Sequence, residues 1–163
     1  MSEEQGIQLI SSPHHASQLL DCLNHRLPQL PEHDLTLMFV RDLVQQALNI
    51  YLEQVQQTCS PTADQTALGM SSMIRVQHFK ETLQAFLAEH PGEQVLIWAT
   101  FVAASGCVLP EHMEFFEGVF LRHYARNGFA NVLAGLEYLR RIWARTPTQR
   151  WTSLLANAEI LVM

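Results

Sequence analysis

The segment WATFVAASGCVLPEHMEFF, Trp98 to Phe116, gathers a thiol, an imidazole and two carboxylates into a short span: Cys107, His112, Glu111 and Glu114. Groups of these types can make a nucleophile with its base, or an acid/base pair. A nucleophilic cysteine needs its thiolate favoured, as a helix N-terminus or a nearby imidazole does. Cys107 instead follows Gly106 at the end of an apolar run that reads as a helix, where the backbone dipole presents its negative pole. The sequence also lacks the Gly-x-Ser-x-Gly elbow of a strand-to-helix turn. Cys107 is therefore expected to pack as a small hydrophobe in a joint between two helices. Glu111 and Glu114 follow Pro110, and acidic residues in a first helical turn are accounted for by the unpaired amides there.

Eight histidines invite a metal reading. His14 and His15 are adjacent, so on a helix they point to different sides. His112 and His123 are eleven residues apart, about three turns, which lets them share a face but sets them too far apart along the axis to hold one ion. The sequence carries no HExxH, no His-x-Glu with a downstream Cys pair and no carboxylate cluster. Surface or capping roles are expected for the histidines. Cys22, Cys59 and Cys107 are widely spaced, with no CxxC pair, which suits a reducing compartment. A GxGxxG turn and a Walker loop are missing too, so nothing suggests a phosphate cradle. No catalytic, cofactor-binding or metal-ligating residue is expected, and the chain reads as a non-enzyme. What remains is aromatic: Trp98, Phe116, Phe120 and Trp143 lie on apolar helical faces, where they would fill a core or wall a pocket for an apolar ligand.

The elements that position these residues are read from periodicity. Ser12-Pro13 predicts a helix start, followed by a short helix to about Arg26, ended by Pro28 and Pro31. From Asp34, Leu37, Val40, Val44, Ala47, Tyr51 and Val55 recur in steps of three or four, the mark of one helical face. Residues 58 to 72, TCSPTADQTALGMSS, read as a flexible loop. Ser72 is then expected to cap a helix from Met73 to about Glu89, with Val76, Phe79, Leu83, Phe86 and Leu87 inward. Val95 to Ser105 is apolar all round, which implies burial on every side, and Gly106 suits the left-handed position beyond its end. Pro110 opens a helix with Met113, Phe116, Phe120 and Tyr124 inward, broken at Asn127-Gly128. The next helix carries Phe129, Val132, Leu133, Leu136, Leu139 and Trp143, and RWTSLLANAEILVM reads as a last short helix or docked tail.

No alternating strand pattern persists, so the expected fold is all-α: a single-domain helical array of about six to seven helices. The domain is expected over residues 13–163, behind a mobile N-terminus at 1–12. A chain of 163 residues with 48% hydrophobic and 16% charged residues can bury one core. The formal charge of −6 would repel a phosphate backbone overall, and the Arg residues between Arg122 and Arg150 would attract one only locally. No signal peptide is evident at the N-terminus. The longest apolar run, Val95 to Leu109, is shorter than the roughly 20 residues of a membrane-spanning helix.

From Val95 to Glu159 the order of features resembles the C-terminal part of the fungal-specific transcription factor domain, the helical regulatory region behind zinc-binuclear-cluster DNA-binding modules. The resemblance is carried by VLIWATFVAASGCVLPEHMEFF, by RNGFANVLAGLEYLRRIW with its closing Leu-Arg-Arg-x-Trp, and by RWTSLLANAEILV, together about two fifths of the chain. It implies transcriptional regulation from the nucleus, through protein or small-effector contacts, of a metabolic or secondary-metabolite pathway. Homodimers or other transcription proteins are the implied partners. The family's six closely spaced cysteines and basic linker are not in this sequence. Direct DNA binding by this chain alone is thus not expected, and zinc would enter only with a missing N-terminal cluster. The competing expectation is a small-molecule-binding helical protein with no role in transcription.

Overall fold

The computed structural model describes residues 35–59, 65–90 and 96–145, with 18 and 21 besides. Among them the fold is all-α, with no strand and five helices: α1 (Leu35–Cys59), α2 (Gln65–Glu89), α3 (Ile97–Ser105), α4 (Pro110–Asn127) and α5 (Ala130–Trp143). The helix expected before Arg26 and the closing segment around Trp151 lie outside the described residues, as does the N-terminal stretch 1–12.

α1 and α2 form one antiparallel hairpin. Its direction is fixed at two levels, by Gln46 Nε2 donating to Thr82 Oγ1 at 3.0 Å and by the Arg75–Glu53 ion pair at 2.8 Å. α4 and α5 form a second, tied across by Arg140 to Glu117. The short α3 lies between the two pairs and packs on all four other helices. Every α3 residue except Trp98 is buried, which is why its sequence is apolar all round. The core is filled from each side by helical stripes: Leu43, Ala47, Ile50 and Tyr51 of α1, Val76, Phe79, Leu83 and Phe86 of α2, Phe116, Val119 and Phe120 of α4, and Val132, Leu136, Leu139 and Ile142 of α5.

Two local expectations are corrected. The segment read as a loop through residue 72 is helical from Gln65 onward. Ser72 therefore stands two turns inside α2, not at its cap, and is buried with its hydroxyl donating to the Gly106 carbonyl at 3.2 Å. A serine that satisfies a distant carbonyl no longer competes with its own helix, and the Ala-Leu-Gly-Met run before it contains only one weak helix former. Gly106 is not left-handed either: its φ is −85° and its ψ 0°. Its lack of a side chain serves a close approach, because a Cβ there would come within 3.0 Å of both Ile50 Cγ2 and Gln54 Nε2 on α1. The left-handed glycine is Gly128, φ 71°, whose amide donates to the Tyr124 carbonyl and ends α4.

Gly106 and Gly69, a glycine inside α2, separate by mutation. Gly106→Ala should destabilise the fold by about 1–3 kcal/mol through overpacking against α1. Gly69→Ala meets nothing within 4 Å and should stabilise α2 by about 0.5–1 kcal/mol. Urea denaturation of both variants checks the opposite signs.

Candidate functional site

The residues first suspected of chemistry flank the joint between α3 and α4, with Cys107 and His112 buried and Glu111 and Glu114 exposed. Gly106 and Cys107 continue the last turn of α3, their amides donating to Ala103 and Ala104 at 3.1 Å each. Trp143 of α5 donates its indole N–H to the same Ala104 carbonyl at 2.8 Å. Ser105 donates to Val102 at 2.6 Å, with the Gln54 amide nitrogen of α1 lying 3.5 Å from its hydroxyl. Side chains from α1, α2 and α5 thus converge on the C-terminal end of one buried helix.

Cys107 is 8% exposed, and burial pushes its thiol up, with the positive charge of Lys80 opposing only in part. Burial thus disfavours the thiolate that a nucleophilic cysteine needs. Its role is the packing one expected from its place past a helix end.

His112 and His123 depart from their expected surface or capping roles. Both are buried, His112 at 2% and His123 at 8% exposure. Positions 112, 116, 119, 120 and 123 form the single inward stripe of α4, so the spacing that lets the two histidines share a face puts that face in the core. His112 is tied to α2: its Nε2 lies 2.8 Å from Gln77 Oε1, while Gln77 Nε2 donates to Glu81 at 2.7 Å. That second bond orients the amide with its oxygen toward the imidazole, so His112 carries its proton on Nε2. Among the described residues Nδ1 is then a buried acceptor with no donor. His123 has the Asn127 amide nitrogen 3.2 Å from its Nε2. Among the described residues no group of His, Cys, Asp and Glu is arranged to hold a metal ion.

The four aromatic candidates are spread through the fold. Phe116 and Phe120 are fully buried on the inner stripe of α4, and the Phe116 ring stands 6.1 Å from that of Phe79 on α2. Trp98 and Trp143 are half-buried and packed against the core. They engage opposite ends of α3, Trp98 at its first turn and Trp143 at its last. The groove between α1 and α2 is lined by other residues, among them Met70, Ile74, Arg75 and His78. Ile74 is 67% exposed there. Periodicity left that groove unmarked because 65–72 was read as loop, and Met70 and Ile74 at i, i+4 were the signal that the helix extends back.

A family model described as the fungal specific transcription factor domain matches residues 3–163. The chain belongs to that family. The match reaches well beyond the last seventy residues that carried the resemblance, taking in the α1–α2 hairpin, and gives the domain a transcriptional-regulator role. No curated protein matches the chain, and no solved structure does. Among the described residues no helix of the domain is long and apolar enough to cross a membrane.

Burial holds the pKa of both histidines below the ordinary imidazole value of 6.5, and Lys80 beside His112 and Arg126 beside His123 push the same way. A depressed imidazole favours the folded state only while neutral. Stability should be full above about pH 6.5, where both states are neutral, and fall as pH drops from there toward the lower folded-state values. Urea midpoints at pH 7.5, 6.0 and 5.0 should decline, and His112→Gln with His123→Gln should flatten the decline. Trp143→Phe, which removes the bond to Ala104 and part of the ring packed on the core, should cost about 1–3 kcal/mol at all three pH values.

Proposed function

We propose that the domain is the regulatory part of a zinc-cluster-type fungal transcription factor. It acts in the nucleus through contacts with other proteins or a small effector, not through chemistry, and the regulated genes belong to a metabolic or secondary-metabolite pathway. The observation that carries this reading is the family match over residues 3–163. The burial of Cys107 and the use of His112 and His123 as core residues support it, since these three groups already have packing roles. The exposed Met70 and Ile74 beside Arg75 and His78 offer apolar contact area of the kind protein partners use.

On this reading the chain does not grip DNA by itself. An acidic protein of net charge −6 lacks the excess cations that displace phosphate counterions. Zinc belongs with a six-cysteine cluster, and Cys22, Cys59 and Cys107 are spread too widely to make one. The pocket alternative is less well supported, because Phe116 and Phe120 are fully buried in the core and are not among the residues that line the groove between α1 and α2.

Fusing the chain to an unrelated DNA-binding module and measuring a reporter in a fungal host tests the role. Reporter output should change several-fold against the module alone, and output equal to the module under all nutrient conditions would reject the proposal. Separately, the isolated chain should show no preference for any duplex, and tight, steeply salt-dependent binding to one sequence would refute the claim that DNA contact lies elsewhere.

A further inference from the structure

Lys80 is the one lysine among 163 residues, against nine arginines. The two kinds of cation differ chemically: a guanidinium stays charged in proteins, whereas an amine loses its charge when it is acylated. Lys80 is thus the one side chain here whose permanent positive charge an ordinary modification can remove. It stands at the seam of α2 and α4. Gln77 of α2 holds His112 of α4 at 2.8 Å, and one turn further along both helices the Lys80 ammonium lies 5.2 Å from the centre of the Phe115 ring. Phe115 in turn meets Phe116 edge-on, with 5.2 Å between ring centres, and Phe116 meets Phe79 of α2.

The bland account is a lysine whose stem covers apolar surface while its head rests on an aromatic face. It explains the contact with Phe115 but not the company the charge keeps. The ion pairs of the described residues join Arg75 to Glu53 and Arg140 to Glu117 and Glu137, which leaves Lys80 outside them. Its field falls instead on two buried groups, the Cys107 thiol and the His112 imidazole. At His112 desolvation disfavours the imidazolium, Lys80 adds to it, and Glu111 on α4 itself acts the other way. The remaining neighbours bring no relief: Glu81 of α2 is engaged by Gln77, and burial disfavours the Cys107 thiolate.

We propose that Lys80 is an acylation site, and that an acetyl group placed there makes the α2–α4 seam more resistant to acid. Lys80 and Phe115 are both half-buried, so the amine is open to a reagent, and a small neutral group can keep its place on the ring. The free amine attacks the carbonyl carbon of an acyl thioester. The C–N bond forms, the C–S bond breaks, the sulfur leaves with the electron pair as a thiolate, and the proton lost from nitrogen neutralises it. The product is a neutral amide. It gives up the cation's attraction to Phe115 and removes the like charge beside His112. The folded-state pKa of that imidazole then moves up toward its ordinary value of 6.5, so less stability is lost as pH falls below it. Methylation, which keeps the charge, would not do this. The inference rests on the seam and holds whether or not the domain acts in transcription.

The test is acetylation of the full chain by acetyl-coenzyme A at mildly alkaline pH, with peptide mapping by mass spectrometry and urea midpoints at pH 7.5, 6.0 and 5.0. Lys80 should take up the acetyl group while the chain is folded, and the midpoint of the acetylated chain should fall less between pH 7.5 and 5.0 than that of the untreated chain. The N-terminal amine reacts as well, and Lys80→Arg treated in the same way controls for it: this variant keeps the charge and should keep the wild-type fall. Lys80→Gln should show the smaller fall without reagent. In a His112→Gln background acetylation should leave the fall unchanged, because the group whose protonation it eases is gone. A Lys80 that stays unmodified in the folded chain under conditions that acetylate it in urea would overturn the proposal, as would an acetylated chain whose midpoint falls as far as, or further than, that of the untreated one.

Discussion

The arrangement depends on burying the C-terminal end of α3. A helix leaves its last carbonyls without intrahelical donors, and in water the solvent supplies them. α3 ends inside the protein, so each carbonyl there must find a donor in the chain or cost about 1–3 kcal/mol. Ser105 serves Val102, the Gly106 amide serves Ala103, and Cys107 and Trp143 share Ala104. The carbonyl of Gly106 itself is served by Ser72 of α2. Satisfying one helix end therefore draws α2 and α5 to the same point, while the bare Cα of Gly106 lets α1 come close enough to seal it.

Much of this was legible in the sequence, and the failures share a cause. Periodicity located α1, α3, α4 and α5 because each carries apolar residues at steps its burial requires, and Pro110 and Gly128 marked the ends of α4 by constraints local to the backbone. The start of α2 and the reason for Gly106 were misread because both depend on partners far along the chain. Ser72 looks like a cap until its acceptor, Gly106, is in place, and Gly106 looks like a turn residue until Ile50 and Gln54 stand against it. The histidines of α4 were assigned to the surface by type, although their eleven-residue spacing already matched the inward stripe. Sequence pattern records which face a residue is on, whereas residue type only records where it is usually found.

The same geometry shapes how a contact on one part of the domain is felt elsewhere. The two hairpins meet mainly through α3, and directly along the seam where Phe79 packs on Phe116 and Gln77 holds His112. α3 is short and enclosed, so it cannot shift without disturbing donors on α2 and α5 together. A partner that repositions the α1–α2 hairpin must either carry α3 with it or break the Ser72–Gly106 bond. For a regulatory domain, that makes the joint at Gly106 the place where movement of one hairpin becomes strain in the other.

The α2/α4 seam is the weaker of the two links, for a reason visible in its atoms. Phe79 and Phe116 hold by packing alone, which is insensitive to charge, but His112 is an ionisable group held by a single bond from its Nε2 to Gln77. A proton added at Nδ1 would find no acceptor among the described residues and would place a second positive charge near Lys80. Protonation of the imidazole thus weakens the seam, whereas the α3 joint is built from amides, hydroxyls and an indole that do not titrate in this range. Loosening the domain should therefore begin where α4 meets α2 and leave the end of α3 intact until the hairpins themselves come apart.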